Sequence, residues 1–320
     1  MERKQLRKAM SPAGWIMVLY YLLLNACVIF TMLVEMLLGM ISRLSRGDMD
    51  GLMDAVLMAA SSAWGYFVAA GVGVIILLAW KKPRFWKEEI WAKGRPMKAG
   101  DFFGILCIFL GAQLVYQLMV MGLELILNCM GLSIMAGMEM MSVGTDGFSM
   151  FLYAGVLAPV SEELLCRGLV QRTLMPYGKK LAILGSAFLF GIFHGNIIQT
   201  PFAFATGLVL GYVAAEYSIA WAMVLHMINN LVLADMLTRL TAGMSEMAAG
   251  ILVWGILILF ALGAVITLIR KRRTIRTWMQ RNTMGPTYVR CFFGSGGVVT
   301  FTVIMGLSMI LTCFMLITPL

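Results

Sequence analysis

Three ionisable side chains lie close together inside an apolar segment of the sequence. Glu162, Glu163 and Arg167 fall within a stretch from about residue 148 to residue 174. That stretch is long enough to cross a bilayer as a helix, which takes about 20 residues. Charged side chains at that depth cost about 2.5–3.5 kcal/mol each on insertion scales, so they mark functional positions by default. The group predicts either a chemical site or a structural ion network within the membrane.

Helix geometry gives the two glutamates different surroundings. Glu163 and Arg167 are four residues apart, so they share one helix face, with the glutamate on the N-terminal side that an ion pair prefers. We therefore expect Arg167 to neutralise Glu163 and the pair to be structural. Glu162 points about 100° away, toward another part of the bundle. A carboxylate that lacks a cationic partner in a low dielectric is suited to act as a general base or acid.

The chain contains only two histidines, and both fall in apolar segments that follow the carboxylates. Phe190 and His194 are four residues apart in one segment, and His226 and Asn230 are four apart in another. A lone histidine there is often a hydrogen-bonded core residue. Together, however, a carboxylate and a neutral imidazole can deprotonate a water, while an imidazole N–H and an amide can donate to an oxyanion. These parts predict water attack on a carbonyl, as in peptide or ester hydrolysis.

Two histidines and one glutamate also match the ligand set of a hydrolytic zinc site. The sequence has no HExxH helix, and the three ligands would come from three separate helices. We therefore predict a site without a metal or another cofactor, and keep zinc as the alternative. The six cysteines form no CxxC pair and are typical of small buried residues.

Composition indicates the class of chain that must hold these residues. Of 320 residues, 61% are hydrophobic and 13% are charged, which predicts an all-α polytopic membrane bundle of about eight to nine transmembrane helices. The net charge of +9 does not indicate nucleic-acid binding, because Lys and Arg cluster in short connections. Their bias toward alternate connections predicts a cytoplasmic N-terminus in a cell membrane. The predicted helices run from about 15 to 41, 52 to 80, 101 to 127, 148 to 176, 180 to 198, 201 to 217, 219 to 240, 247 to 269 and 297 to 316.

The polar residues resemble the motifs of a known family. The segments EELLCR at 162–167, FGIFH at 190–194 and HMINN at 226–230 look like the EExxxR, FxxxH and HxxxN motifs of the CAAX-protease and bacteriocin-processing (CPBP) family of intramembrane proteases. Their order and their placement on membrane helices match over about residues 148–240. One departure is Cys166, since the family more often has an aromatic residue before the arginine.

The resemblance implies an all-α intramembrane endopeptidase that uses a glutamate and needs no metal. Carried over by position, Glu162 would activate water with His194, and His226 and Asn230 would stabilise the oxyanion. The second glutamate and the arginine match the structural pair of the motif. The implied partner is a peptide or protein substrate, prenylated as in eukaryotic relatives or bacteriocin-like as in many bacterial ones, in a bacterial cell membrane and without nucleic acid.

The resemblance divides the chain into three parts. Residues 1–147 are predicted to hold N-terminal transmembrane helices and a basic loop, residues 148–240 a CPBP-like catalytic core, and residues 241–320 C-terminal transmembrane helices with a second basic loop. The first basic stretch, residues 81–100, fits either an amphipathic piece on an anionic membrane surface or an ordinary cytoplasmic loop.

Two functions other than proteolysis are compatible with the sequence. A non-catalytic membrane binding or bacteriocin-immunity protein of the same fold would keep the polar core without cleaving a peptide. A transporter would use Glu162 and Asp235 in a proton or ion path. The sequence shows neither an internal repeat nor paired broken helices, which counts against transport.

Overall fold

Helices account for nearly all of the chain that the computed structural model describes, which confirms the all-α fold class. The described residues are 2–49, 51–80, 85–91, 94–142, 147–232 and 237–319. Within them, the helices are α1 (Arg3–Ser45), α2 (Leu52–Ala60), α3 (Trp64–Trp80), α4 (Ala99–Asn128), α5 (Met135–Ser142), α6 (Phe148–Tyr177), α7 (Lys179–Phe193), α8 (Gln199–Glu216), α9 (Ile219–Val232), α10 (Leu237–Thr241), α11 (Glu246–Arg281), α12 (Pro286–Phe293) and α13 (Gly296–Leu316). Strand β1 (Leu132–Ser133) pairs antiparallel with β2 (Thr318–Pro319).

Six segments of the described residues are long and apolar enough to cross a membrane. Five of them are the single helices α1, α4, α6, α11 and α13. The sixth is the stretch Leu52–Ile76, which includes α2 and most of α3. Helices α7, α8 and α9 are shorter or less apolar, and they lie packed within the bundle. The polytopic bundle is thus present, while the number of eight to nine spans stays a prediction.

Local polar and glycine signals divide the apolar runs. The predicted second helix is two helices, because the Ser62 hydroxyl accepts a hydrogen bond from the Trp64 N–H and starts α3. The predicted fifth helix ends at Phe193 rather than near residue 198, because Gly195 adopts a φ of 59° that stops it. His194 therefore lies just past the end of α7, not well inside a helix as predicted.

Helix α11 continues twelve residues past the predicted end at residue 269 and includes all but the last residue of the second basic stretch, residues 270–282. Two polar contacts hold this exposed extension against the bundle: Lys271 lies 2.7 Å from Asp101, and the Trp278 indole N–H donates to Glu216 at 2.9 Å. In the first basic stretch, a π-helical turn at Trp86–Ile90 packs beneath α6. Neither basic stretch is therefore a simple extended loop over its described residues.

Helix α1 supports the bundle from one side. It packs against α2, α3 and α13 and also contacts α6. Its contact with α13 is close because glycines face each other: a side chain at Gly14 would collide with the backbone of Gly297. Small residues at such crossings are a common way to pack membrane helices, since lipid gives little hydrophobic driving force between them.

Candidate active site

Helix α6 carries both glutamates and is not a regular α-helix. It contains π-helical turns at Tyr153–Leu157 and Leu164–Val170. Pro159 has no N–H, so the Ala154 carbonyl, five residues earlier, lacks the donor that a π turn would supply. Asn230 on α9 replaces it, with Nδ2 donating to that carbonyl at 2.8 Å. The proline thus creates a polar attachment point for α9 beside the glutamates.

Glu163, Arg167 and His226 form a buried network. Arg167 Nη1 donates to Glu163 Oε1 at 2.9 Å, and both side chains are completely buried. This is the ion pair expected from the spacing. His226 Nδ1 lies 3.0 Å from the same oxygen. Because a carboxylate oxygen accepts, this hydrogen bond places a hydrogen on Nδ1 of His226. Glu163 therefore orients His226 as well as pairing with the arginine, a role that the sequence analysis did not predict.

Two side chains of α6 also bond to the backbone of α8. Arg167 Nη2 donates to the Gly207 carbonyl at 3.3 Å, and Gln171 Nε2, one turn later, donates to the Gly211 carbonyl at 2.9 Å. Gly211 permits the second approach, since a Cβ there would lie 3.0 Å from Gln171 Oε1, and a Cβ on Gly207 would lie 3.1 Å from the Phe190 ring of α7. That ring lies 4.5 Å from Arg167 Cζ. Gln171 was not among the predicted site residues, although the GxxxG spacing on α8 is a signal for close helix packing.

All four predicted catalytic side chains line one cavity of about 410 Å³. Glu162 comes from α6, His194 from the end of α7, and His226 and Asn230 from α9. His226 Nε2 lies 3.8 Å from Glu162 Oε2, so this imidazole stands between the two glutamates. Glu163 is not among the residues that line the cavity. The arrangement separates a carboxylate that faces the cavity from one buried behind it.

Phe190 holds both imidazoles. Its ring is perpendicular to the His194 ring, with centroids 5.0 Å apart, and perpendicular to the His226 ring at 5.7 Å. The Phe190 carbonyl lies 3.0 Å from His194 Nδ1. A carbonyl accepts, so this contact places the hydrogen of the neutral ring on Nδ1 and leaves Nε2 as an acceptor. His194 is therefore prepared to accept a hydrogen bond from a water.

The amide of Asn230 retains a donor for a ligand. One N–H bonds the Ala154 carbonyl, and Oδ1 accepts from Asn229 Nδ2 at 3.1 Å, so that among the described residues the second N–H is left for a ligand. The sequence analysis missed Asn229, whose only signal was its position next to Asn230. The cavity wall also includes neutral polar side chains that could bond a peptide backbone: Gln113, Tyr116, Tyr153, Gln199 and Thr206.

The described residues contain no group of three or more His, Cys, Asp or Glu side chains placed to hold a metal ion. The zinc alternative, which needs Glu162, His194 and His226 to converge on one point, therefore has no ligand cluster in that part of the chain. Asp235, considered for an ion path, lies outside the described residues.

Residues 144–232 match the family model of Rce1-like type II CAAX prenyl endopeptidases. The match contains all three motifs and confirms the resemblance to CPBP proteases that they predicted. No curated protein and no solved structure matches the chain. The apolar helices and the match together define an integral membrane protein. Its region from α6 to α9 resembles a family of proteases, which are hydrolases.

Proposed function

We propose that the protein is an intramembrane endopeptidase in which Glu162 and His194 activate a water to hydrolyse a peptide bond. The observation that carries the proposal is the single cavity that Glu162, His194, His226 and Asn230 line from three different elements. The proposal assigns the catalytic core to residues 148–240. The preceding and following helices then serve as its framework.

Glu162 acts first as base and then as acid. As the water oxygen bonds to the carbonyl carbon, its proton passes to the Glu162 carboxylate. His194 accepts a hydrogen bond from the same water through Nε2 and so directs its lone pair. When the tetrahedral intermediate collapses, the C–N bond breaks and Glu162 returns the proton to the leaving amine. Hydrolysis consumes one water and one peptide bond, and Glu162 ends as the carboxylate with which it began.

Asn230 and His226 stabilise the oxyanion. Asn230 donates its second amide N–H. His226 can donate through Nε2 only when it is doubly protonated, because Nδ1 already donates to Glu163. With Glu162, Glu163 and Arg167 all ionised, a doubly protonated His226 makes this group of four electrically neutral. A buried neutral cluster avoids the cost of an uncompensated charge in a low dielectric.

The proposed substrate is a peptide or protein, either prenylated or bacteriocin-like. Neutral polar groups on the cavity wall suit a peptide backbone, and Glu162 is the one acidic residue among the lining residues described. We also propose a bacterial cell membrane with a cytoplasmic N-terminus. In support, Cys291 of α12 contacts the Arg3 carbonyl at the start of α1. Glu216, at the end of α8, contacts both Lys179 at the start of α7 and Trp278 near the end of α11. These contacts gather the basic segments at one end, as the positive-inside rule requires.

The test uses purified protein in detergent with a pool of prenylated and unprenylated peptides, read by mass spectrometry. Wild type is compared with Glu162→Gln and with Glu35→Gln, a control glutamate on α1 outside the cavity. Each is run with and without a chelator. We expect wild type and Glu35→Gln to cleave with chelator present. Glu162→Gln should cleave at least 100-fold more slowly while melting at the same temperature as wild type.

Other outcomes would redirect the proposal. Cleavage that the chelator abolishes would favour the zinc alternative. Cleavage by Glu162→Gln that equals wild type would contradict its role as base. If no peptide is cleaved by any variant, the non-catalytic binding or immunity protein becomes the better account. The substrate class follows from which peptides are consumed.

A further inference from the structure

A second cavity, of about 470 Å³, lies between α1, α3 and α6. Over its described residues the wall is apolar except for Tyr20 and Ser161, and the tyrosine hydroxyl lies 3.5 Å from Ser161 Oγ. Leu19 and Ile76 line it and are also 66% and 49% exposed on the outside of the bundle. The cavity therefore opens sideways, toward the hydrocarbon of the membrane. Ile16, Leu23 and Gly73 also line it.

This cavity is separate from the proposed active site. The lining residues described for the two cavities do not overlap. Ser161 and Glu162 are neighbours in sequence but point about 100° apart, so α6 stands between the two spaces. A hydrocarbon chain attached to a peptide in the active-site cavity would have to pass around α6 to enter. The second cavity thus fits a chain that belongs to another molecule.

We propose that this cavity binds one acyl chain of an anionic membrane phospholipid. The cavity, of about 470 Å³, is far larger than the space that one water needs and has apolar walls, which suits an acyl chain. Burial of such a chain against apolar walls is favourable, and a polar ligand would find few partners there. The ligand site lies behind the glutamates and is distinct from the peptide site.

Charge on α1 identifies the headgroup. Lys8 lies eight residues before Ile16, about 12 Å along the helix axis, and Lys4 lies about one turn further. Both lysines are exposed at the basic end of the bundle. A phospholipid whose chain reaches Ile16 would bring its headgroup near this level. Lysines near a membrane surface favour anionic lipids, at about 1 kcal/mol each, or about fivefold in affinity.

Two glycines on α3 provide a matched pair of variants. A Cβ at Gly73 would make ordinary contact with the Tyr20 ring at 3.7 Å, so Gly73→Phe would place its ring in the cavity. Gly71, on the opposite face of α3, is exposed and has open space around it. Gly71→Phe adds the same side chain outside the cavity. Leu23→Trp fills the cavity from α1 and provides a second test if Gly73→Phe folds poorly.

The experiment counts phospholipids retained per protein by native mass spectrometry, after mixing with phosphatidylglycerol or phosphatidylcholine of identical chains. We expect wild type and Gly71→Phe to retain one phosphatidylglycerol per protein. Gly73→Phe and Leu23→Trp should retain at least tenfold less. Two lysines should give wild type about a 25-fold preference for phosphatidylglycerol over phosphatidylcholine, and Lys4→Gln/Lys8→Gln should remove it.

Equal retention of phosphatidylglycerol by Gly71→Phe and Gly73→Phe would overturn the proposed site. Equal retention of phosphatidylglycerol and phosphatidylcholine by wild type would overturn the assigned headgroup. Displacement of the lipid by a lipidated peptide, but not by its unmodified form, would assign the cavity to a substrate chain instead. None of these readouts depends on peptide cleavage. Failure of the lipid site is therefore distinguishable from failure of the proposed peptidase activity.

Discussion

Glu163→Gln would test the buried network behind the cavity. The substitution keeps the shape of the side chain but removes the negative charge between Arg167 and His226. The other described neighbours of the arginine, the Gly207 carbonyl and the Phe190 ring, carry no full charge. Removal of one partner from a buried ion pair typically costs about 3–5 kcal/mol, because the other charge is left uncompensated. We expect a loss of that size in the free energy of unfolding.

The assay is denaturant unfolding in detergent micelles, followed by tryptophan fluorescence, beside peptide cleavage. Glu163→Gln/Arg167→Met removes both charges, so we expect it to recover most of the lost stability. Such recovery is the non-additivity expected of residues in contact. Cleavage should not recover, because His226 lacks the carboxylate that orients its Nδ1 in both variants. Glu35→Gln, which lies outside the network, controls for loss of an acidic side chain in the membrane.

Two results would refute this reasoning. If Glu163→Gln unfolds at the same denaturant concentration as wild type, the buried pair does not stabilise the fold as the burial argument requires. If Glu163→Gln/Arg167→Met regains both stability and full cleavage, Glu163 does not position His226.

Three further predictions concern the contacts that assemble the site. Asn230→Ala should lower the free energy of unfolding by about 1–3 kcal/mol, because it leaves the Ala154 carbonyl without its donor. Asn229→Ala should cost less, and equal losses in a denaturant titration would contradict this role of Asn230. Gly207→Leu should lower the melting temperature and cleavage together by separating α8 from α7, and an unchanged melting curve would show that the helices can adjust. Gly14→Leu should lower the melting temperature by separating α1 from α13, a result that differential scanning fluorimetry would show or exclude.

Local relations along one helix could be read from the sequence. The apolar run around residues 148–174 predicted a membrane helix, and the spacing of Glu163 and Arg167 predicted their ion pair, because 3.6 residues per turn places such positions on one face. The same geometry separated Glu162 from that pair. Composition predicted the all-α membrane class, since so hydrophobic a chain must satisfy its backbone groups within helices.

Helix ends were less predictable, because single residues decide them against a continuous apolar background. Gly195 stops α7 at Phe193, just before His194, and Ser62 starts α3 inside what hydropathy alone treats as one span. Both signals are present in the sequence. Neither is strong enough to override a long hydrophobic run until the backbone conformation shows that it is used.

Contacts between helices were decided by the tertiary structure alone. The spacing within each motif does not say that His226 turns its Nδ1 to Glu163, or that Asn230 bonds the Ala154 carbonyl that Pro159 leaves without a donor. Those bonds depend on how far each helix is rotated and shifted against its neighbours. Rotation and register follow from the packing of many side chains at once, whereas the sequence pattern of one helix specifies only which residues share its own face.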